Sequence, residues 1–219
     1  MAPVISDEQK ELNKLLHRDN KNFGNRADGA GTAANLATAI DRMNELGVCK
    51  SVLDYGTGKG KLVKHLRSNV RSHIRVSGYD PAVEEWDDSP SAADIVTCLD
   101  VLEHIEYDSI DALLNDIKRL TNIFCYLVID LQPAVKVLAD GRNAHILLAP
   151  PDWWVTKIAQ IFPCHAAFPI YHERGKIQKI VIAACSKNEY VPFMYGFLNK
   201  MRLFDFVMAG GPLGKKKKG

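Results

Sequence analysis

Asp54-Tyr-Gly-Thr-Gly-Lys-Gly60 is the stretch on which the reading of this chain turns. It follows the apolar pair Val52-Leu53 and precedes Leu62, Val63 and Leu66 at helical spacing, so the loop leaves a strand and enters a helix. In an open α/β sheet such a loop lies at the carboxyl end of the strands, where ligands bind. Glycines at 56, 58 and 60 remove side chains where the backbone must approach something closely. The spacing excludes two common phosphate loops. A G-x-x-x-x-G-K-[ST] loop ending at Gly60-Lys61 would need a glycine at Tyr55 and a hydroxyl at Leu62. The dinucleotide pattern G-x-G-x-x-G fails at Lys61. D-x-G-x-G-x-G is what stands.

Working outward, short apolar runs alternate with helical patterns. Strands are expected at 51–55, 74–80, 94–99 and 124–131, the last apolar enough to be buried on both faces. Helices are expected at 60–69, 109–120 and 152–162, and a hairpin from 165–172 to 177–186. The expected fold is therefore α/β, Rossmann-like, with a mostly parallel sheet and an antiparallel edge hairpin. Only 13 residues separate Asp80 from Asp94, too few for another helix and strand, so the sheet should be trimmed by one strand. Upstream, Ser6 caps a helix carrying Leu12, Leu15 and Leu16, residues 17–31 read as a polar loop, and 32–46 as a second helix stopped by Gly47. This divides the chain into N-terminal helices and a lid (1–50), a ligand-binding domain (51–208) and a flexible basic tail (209–219).

Composition narrows the partners. The 219 residues carry 28 basic and 26 acidic side chains, a net charge of +2, yet Lys215 to Lys218 supply four of the positives. The body of the chain is thus slightly acidic, which argues against a general nucleic-acid-coating face. The tail is equally readable as a nucleic-acid or membrane-surface contact and as a solvated end. No apolar run reaches the ~20 residues of a membrane span, and no signal peptide is visible, so a cytoplasmic protein is expected. Cysteines at 49, 98, 125, 164 and 185 are odd in number and form no C-x-x-C pair, which suits buried thiols rather than disulfides or a zinc ribbon.

Val52-Leu-Asp-Tyr-Gly-Thr-Gly-Lys-Gly60 resembles the first motif of the class I S-adenosylmethionine-dependent methyltransferases. The resemblance implies that Tyr55, Gly56, Thr57, Gly58 and Gly60 pack on the methionine part of the cofactor, with Asp54 near its ammonium. The chemistry agrees, since a cationic cofactor needs an anion there rather than a bare helix N-terminus. A second match is Gly78-Tyr-Asp80-Pro81, twenty residues past Gly60. An acid at that place accepts ribose hydroxyls, and the resemblance gives Asp80 and Pro81 the adenosine ribose. Nicotinamide oxidoreductases share this acid but need the other glycine spacing. Trp86, in the short loop that follows, is a candidate adenine contact, with plain packing as its alternative. Residues 17–24, with Asn20, Asn22 and Phe23, are a candidate lid over the cofactor.

The segment Asp100-Val-Leu-Glu-His-Ile105 resembles the D-x-L-E-H stretch that follows the fourth strand in many enzymes of this class, beside the transferring methyl group. On a helical turn Asp100, Glu103 and His104 would share a face, and Asp100 would also touch the cofactor. Downstream, Asp140-Gly-Arg-Asn-Ala-His145 and Pro150-Pro-Asp-Trp-Trp154 fall on the same rim. Together they look like the small-RNA 3′-end 2′-O-methyltransferases, whose E-x-x-E-H and later His hold magnesium or manganese. Here Asp100 replaces the first Glu, Asp152-Trp153 stands for an E-W pair, and the RNA-binding parts are not recognisable. The Gly-Arg-Asn-Ala-His and Pro-Pro-Asp-Trp-Trp stretches also resemble small bacterial and phage methyltransferase-like proteins over roughly residues 15 to 185. The reading taken is methyl transfer from S-adenosylmethionine to an O or N nucleophile, with Asp100, Glu103, His104 and His145 as acid–base and substrate groups. Two alternatives stand beside it. One is a metal-assisted 2′-O-methyltransferase acting on RNA or a nucleotide, with Mg2+ or Mn2+ at Glu103, His104 and His145 and with Asp100 as a fourth ligand in the place of the first Glu. The other is a non-catalytic cofactor-binding subunit.

Overall fold

The computed structural model describes residues 3–25, 33–171 and 176–203. Its centre is a six-stranded sheet in the order β2-β1-β3-β4-β6-β5. The strands are β1 (Ser51–Tyr55), β2 (Arg75–Tyr79), β3 (Ala93–Leu99), β4 (Thr121–Asp130), β5 (Cys164–Tyr171) and β6 (Ile177–Cys185). The first four run parallel, while β6 lies antiparallel between β4 and β5. The expected hairpin is therefore present, and its inner strand is the one that joins the sheet. Between β2 and β3 the chain makes only a 3-10 turn at Glu84–Trp86, so the sheet is trimmed at that side and β2 is an edge.

Alternation along each strand feeds two cores. Phe124, Tyr126 and Val128 face α2 (Leu36–Glu45), α3 (Lys61–Asn69) and α6 (Val191–Met201). Cys125, Leu127 and Ile129 face α4 (Ile110–Leu120) and α5 (Pro151–Ile161), where Trp154 is fully buried. Trp154 is thus a core residue, and Trp153 stacks against it from a half-buried position beside Tyr107. None of the five cysteines forms a disulfide, and four of them are buried.

The N-terminal helix α1 (Asp7–Asp19) starts at the Ser6 cap, whose hydroxyl accepts from the Gln9 amide. It continues two residues beyond His17, because its last turn docks rather than frays. Leu16 packs with Leu138 and Ala144 of the long connection after β4, joined by Leu12 and Phe23. Residues 17–19, expected in a loop, are therefore helical. On the buried side of α1, Gln9 bonds to Asn13 and accepts from Arg142. The second helix begins at Leu36, after a turn through Asn35 in a left-handed conformation. Among the described residues no helix is long and apolar enough to cross a membrane. The tail, with Lys215 to Lys218, and part of the expected hairpin loop lie outside the described residues.

Candidate functional site

The glycine loop sits at the carboxyl end of β1, tied across the sheet by Gly56 and Thr57 amides that both donate to the Tyr79 carbonyl. Asp80, directly after β2, is 8% exposed, and its two oxygens accept from the Gly58 amide (2.9 Å) and the Ala82 amide (3.0 Å). The second bond spans Pro81 and fixes the carboxylate against the loop. Asp54 is 4% exposed and accepts from the Thr97 hydroxyl on β3 at 2.9 Å. The Thr57 hydroxyl is buried and has no partner among the described residues. A buried polar atom without a partner costs on the order of 1–3 kcal/mol, so the loop suits a ligand that brings one.

Two residues expected at the cofactor have well-defined protein neighbours. Tyr55 turns into the opposite core, where its hydroxyl donates to Asp116 of α4. Only its main chain belongs to the loop. Trp86 lays its ring against Gly60 and Gly78, and its carbonyl accepts from the Asp80 amide. It braces Asp80 and fills the space those glycines leave.

Over the loop lies the segment that follows α1. The Lys59 amide donates to the Gly24 carbonyl, and the Lys59 ammonium to the Asn20 carbonyl. His17 places Nε2 4.0 Å from Asp80 Oδ2, and its ring lies 4.6 Å from that of Phe23. Burial lowers the His17 pKa against the pull of Asp80. The close approach explains Gly58. Its φ is +55°, and a Cβ there would lie 2.6 Å from the Gly24 carbonyl oxygen. Gly58→Ala combines that clash with a left-handed penalty of roughly 1–2 kcal/mol. Thermal melting should show a clear loss of stability, and calorimetry at least a tenfold weaker affinity for S-adenosylhomocysteine.

On the neighbouring rim, Asp100 has φ +54° and lies outside the 3-10 turn Leu102–His104. The expected single helical face does not form, because the Asp100 amide continues strand pairing to the Val128 carbonyl while its carboxylate meets Lys179 of β6 at 2.9 Å. Glu103, His104 and His145 do converge. One ligand atom from each lies within 4.8 Å of the others.

Each of the three is fixed from behind. Glu103 is fully buried, its Oε1 accepts from the Asp130 amide, and its Oε2 has no partner among the described residues. Burial, and then Asp100, push its carboxyl well above the usual range. His104 Nδ1 lies 2.7 Å from the Ala144 carbonyl, and His145 Nδ1 2.6 Å from the Gln132 carbonyl. A carbonyl only accepts, so both Nδ1 atoms carry protons, and in the neutral rings Nε2 keeps the lone pair. Burial and the adjacent His145 lower His104 to about 4, so it is neutral at pH 7.

The connection that presents His145 is built by Asn143. Its side-chain amide both donates to and accepts from the Ala134 main chain, and its oxygen also accepts from the His145 amide. The Leu147 amide then donates to the Glu103 carbonyl, locking this connection to the 3-10 turn. A chain of rings runs from Asp80 to the rim: His17, Phe23, His104 at 5.3 Å from Phe23, and His145 at 4.9 Å from His104. His17 and Lys179 were not singled out by the sequence reading. An inward lysine in the apolar Ile177-Gln-Lys-Ile-Val-Ile run signals an anion partner, and that was the available clue.

Residues 11–165 match a family model described as a methyltransferase domain. Among solved structures, the fold is similar to a Burkholderia thailandensis 1,6-didemethyltoxoflavin-N1-methyltransferase with bound 1,6-didemethyltoxoflavin and S-adenosylhomocysteine. That match has 16% identity over 86% of this chain and 93% of the other, with a TM-score of 0.52. A DhpI-SAM-HEP complex gives 14% identity, 84% and 98% coverage, and a TM-score of 0.52. The methyltransferase domain of a bacterial CtHen1 gives 13%, 71%, 100% and 0.51. At these identities the likeness is one of fold. No curated protein matches the chain in sequence.

Proposed function

The chain belongs to the methyltransferase-domain family, as a class I S-adenosylmethionine-dependent enzyme, and from that premise we propose that it methylates a hydroxyl oxygen held at a divalent cation on the Glu103–His104–His145 rim. The observation that carries this reading is the convergence of one carboxylate and two imidazoles, each oriented by a main-chain partner. A carbonyl behind each Nδ1 is the arrangement that orients metal-bound histidines. Two nitrogens and one oxygen suit Mn2+ better than Mg2+, which prefers an all-oxygen shell.

When bound, S-adenosylmethionine supplies a methyl group on a positively charged sulfur. Asp80 would accept its ribose hydroxyls and Asp54 would hold its ammonium end, with Trp86 bracing Asp80. The segment 17–24 covers the loop and excludes water from the cationic centre. A divalent cation at the rim would make a coordinated hydroxyl more acidic and fix its direction. The protein's own contribution is alignment of the acceptor oxygen and a neutral His104 that does not repel the cation. The acceptor class that fits is a vicinal diol, such as the ribose of an RNA end or a nucleotide, since it offers two oxygens to one ion.

The test is methyl transfer from labelled cofactor to fractionated cell extract, split into nucleic acid, protein and small molecules, with and without chelator. The expected result is label in an alkali-stable O-methyl product, lost with chelator and restored best by Mn2+. Turnover indifferent to the chelator overturns the cation and returns the rim to acid–base chemistry.

A further inference from the structure

Behind the rim lies a second charged group that methyl transfer itself does not require. In the β4–β6 pairing Lys179 stands opposite Asp130, and both lie where the carboxyl ends of β3 and β4 meet the site. The Lys179 ammonium is 2.9 Å from Asp100 Oδ1 and 3.4 Å from Asp130 Oδ2. These side chains are 20%, 28% and 17% exposed, so the pairing is largely shielded from water. Burial acts to lower the lysine pKa, but Asp100, Asp130 and Glu103 more than offset it, and the ammonium stays charged.

Asp100 is thereby held twice, at its amide by the Val128 carbonyl and at its carboxylate by Lys179. Its backbone is left-handed, uncommon for a residue other than glycine. Glu103, three residues on, offers a carboxylate oxygen to the other cluster, with His104 and His145. Asp100 has no place in that cluster as the structure stands.

We propose that Lys179 is a positioning residue that holds the Asp100 carboxylate out of the cation's ligand set, so that Glu103, His104 and His145 bind the cation alone. The inference rests on the cation reading above. Its consequence is chemical. Three protein ligands leave open positions for both oxygens of a diol, which a fourth protein ligand would reduce. Asp100, Asp130 and Lys179 together leave one negative charge close by, which favours the cation without occupying its coordination sphere.

The experiment is calorimetric titration of the full chain with Mn2+ alone, alongside melting curves and titration with S-adenosylhomocysteine as folding controls. Asp100→Asn is expected to weaken Mn2+ binding no more than a few-fold, through loss of the nearby charge alone, and Glu103→Gln to lose at least tenfold. Lys179→Met, which releases the Asp100 carboxylate toward the rim, is expected to bind Mn2+ severalfold more tightly even if it melts earlier, and Lys179→Arg to match wild type. A purely structural lysine would lower the melting temperature and leave Mn2+ affinity unchanged, which overturns the proposal. Asp100→Asn losing as much as Glu103→Gln makes Asp100 a ligand and overturns it as well. A wild type that binds S-adenosylhomocysteine but no Mn2+ overturns the cation reading, and this inference with it.

Discussion

Asp80→Ala is expected to weaken binding of S-adenosylhomocysteine by about a hundredfold or more, measured by calorimetry. A hydrogen bond to a charged group is worth about 1.5–3 kcal/mol, and a ribose presents two hydroxyls to this carboxylate. The same carboxylate also accepts from the Gly58 and Ala82 amides, so its loss loosens the cradle as well as the contact. The melting temperature separates the two effects, because a protein that keeps its melting curve and loses the ligand has lost the contact. The histidine across from Asp80 extends the test. His17 Nε2, at 4.0 Å, is too far for a direct bond and close enough for one hydroxyl to bridge. Unchanged affinity in Asp80→Ala would remove Asp80 from the cofactor site.

The trimmed sheet, the glycine loop and the placing of Asp80 against that loop were readable because each is local. A short connection bounds what lies between two strands, and a strand–loop–helix pattern fixes where a loop must sit. The rim was read in composition but not in geometry. Asp100-x-x-Glu-His suggests one helical face, yet the chain at Asp100 is still paired to β4 and bends left-handed before the 3-10 turn. Its carboxylate is met by Lys179, 79 residues away. No local propensity contains that pairing, since it depends on β6 inserting beside β4. Gly58 shows the same limit. Its glycine is also required by the covering segment, since a Cβ there would meet the Gly24 backbone, a contact that the local sequence does not contain. Asn143 shows the converse: in a stretch read for its histidine, the asparagine is the strut that makes the histidine usable.

Glu103→Gln is expected to reduce turnover on a hydroxyl acceptor by about a thousandfold while leaving the fold as stable as before, or more so. The two halves have one physical origin. Glu103 is a fully buried carboxyl with an unpartnered oxygen, and burial pushes its pKa well up, so its ionised form is costly in the protein alone. An amide of the same size keeps an oxygen for the Asp130 amide and carries no charge to desolvate. Stability is therefore retained or gained, read as an unchanged or higher melting temperature. With a cation present the balance reverses, because the charge that burdens the empty fold is what binds the ion and stabilises it at the acceptor. Loss of that stabilisation is worth several kcal/mol, and each ~1.4 kcal/mol is tenfold in rate. A structural glutamate would show the opposite pattern, with a lower melting temperature and turnover falling only in proportion to the folded fraction. Normal turnover in a stable Glu103→Gln protein would place the chemistry elsewhere on the rim.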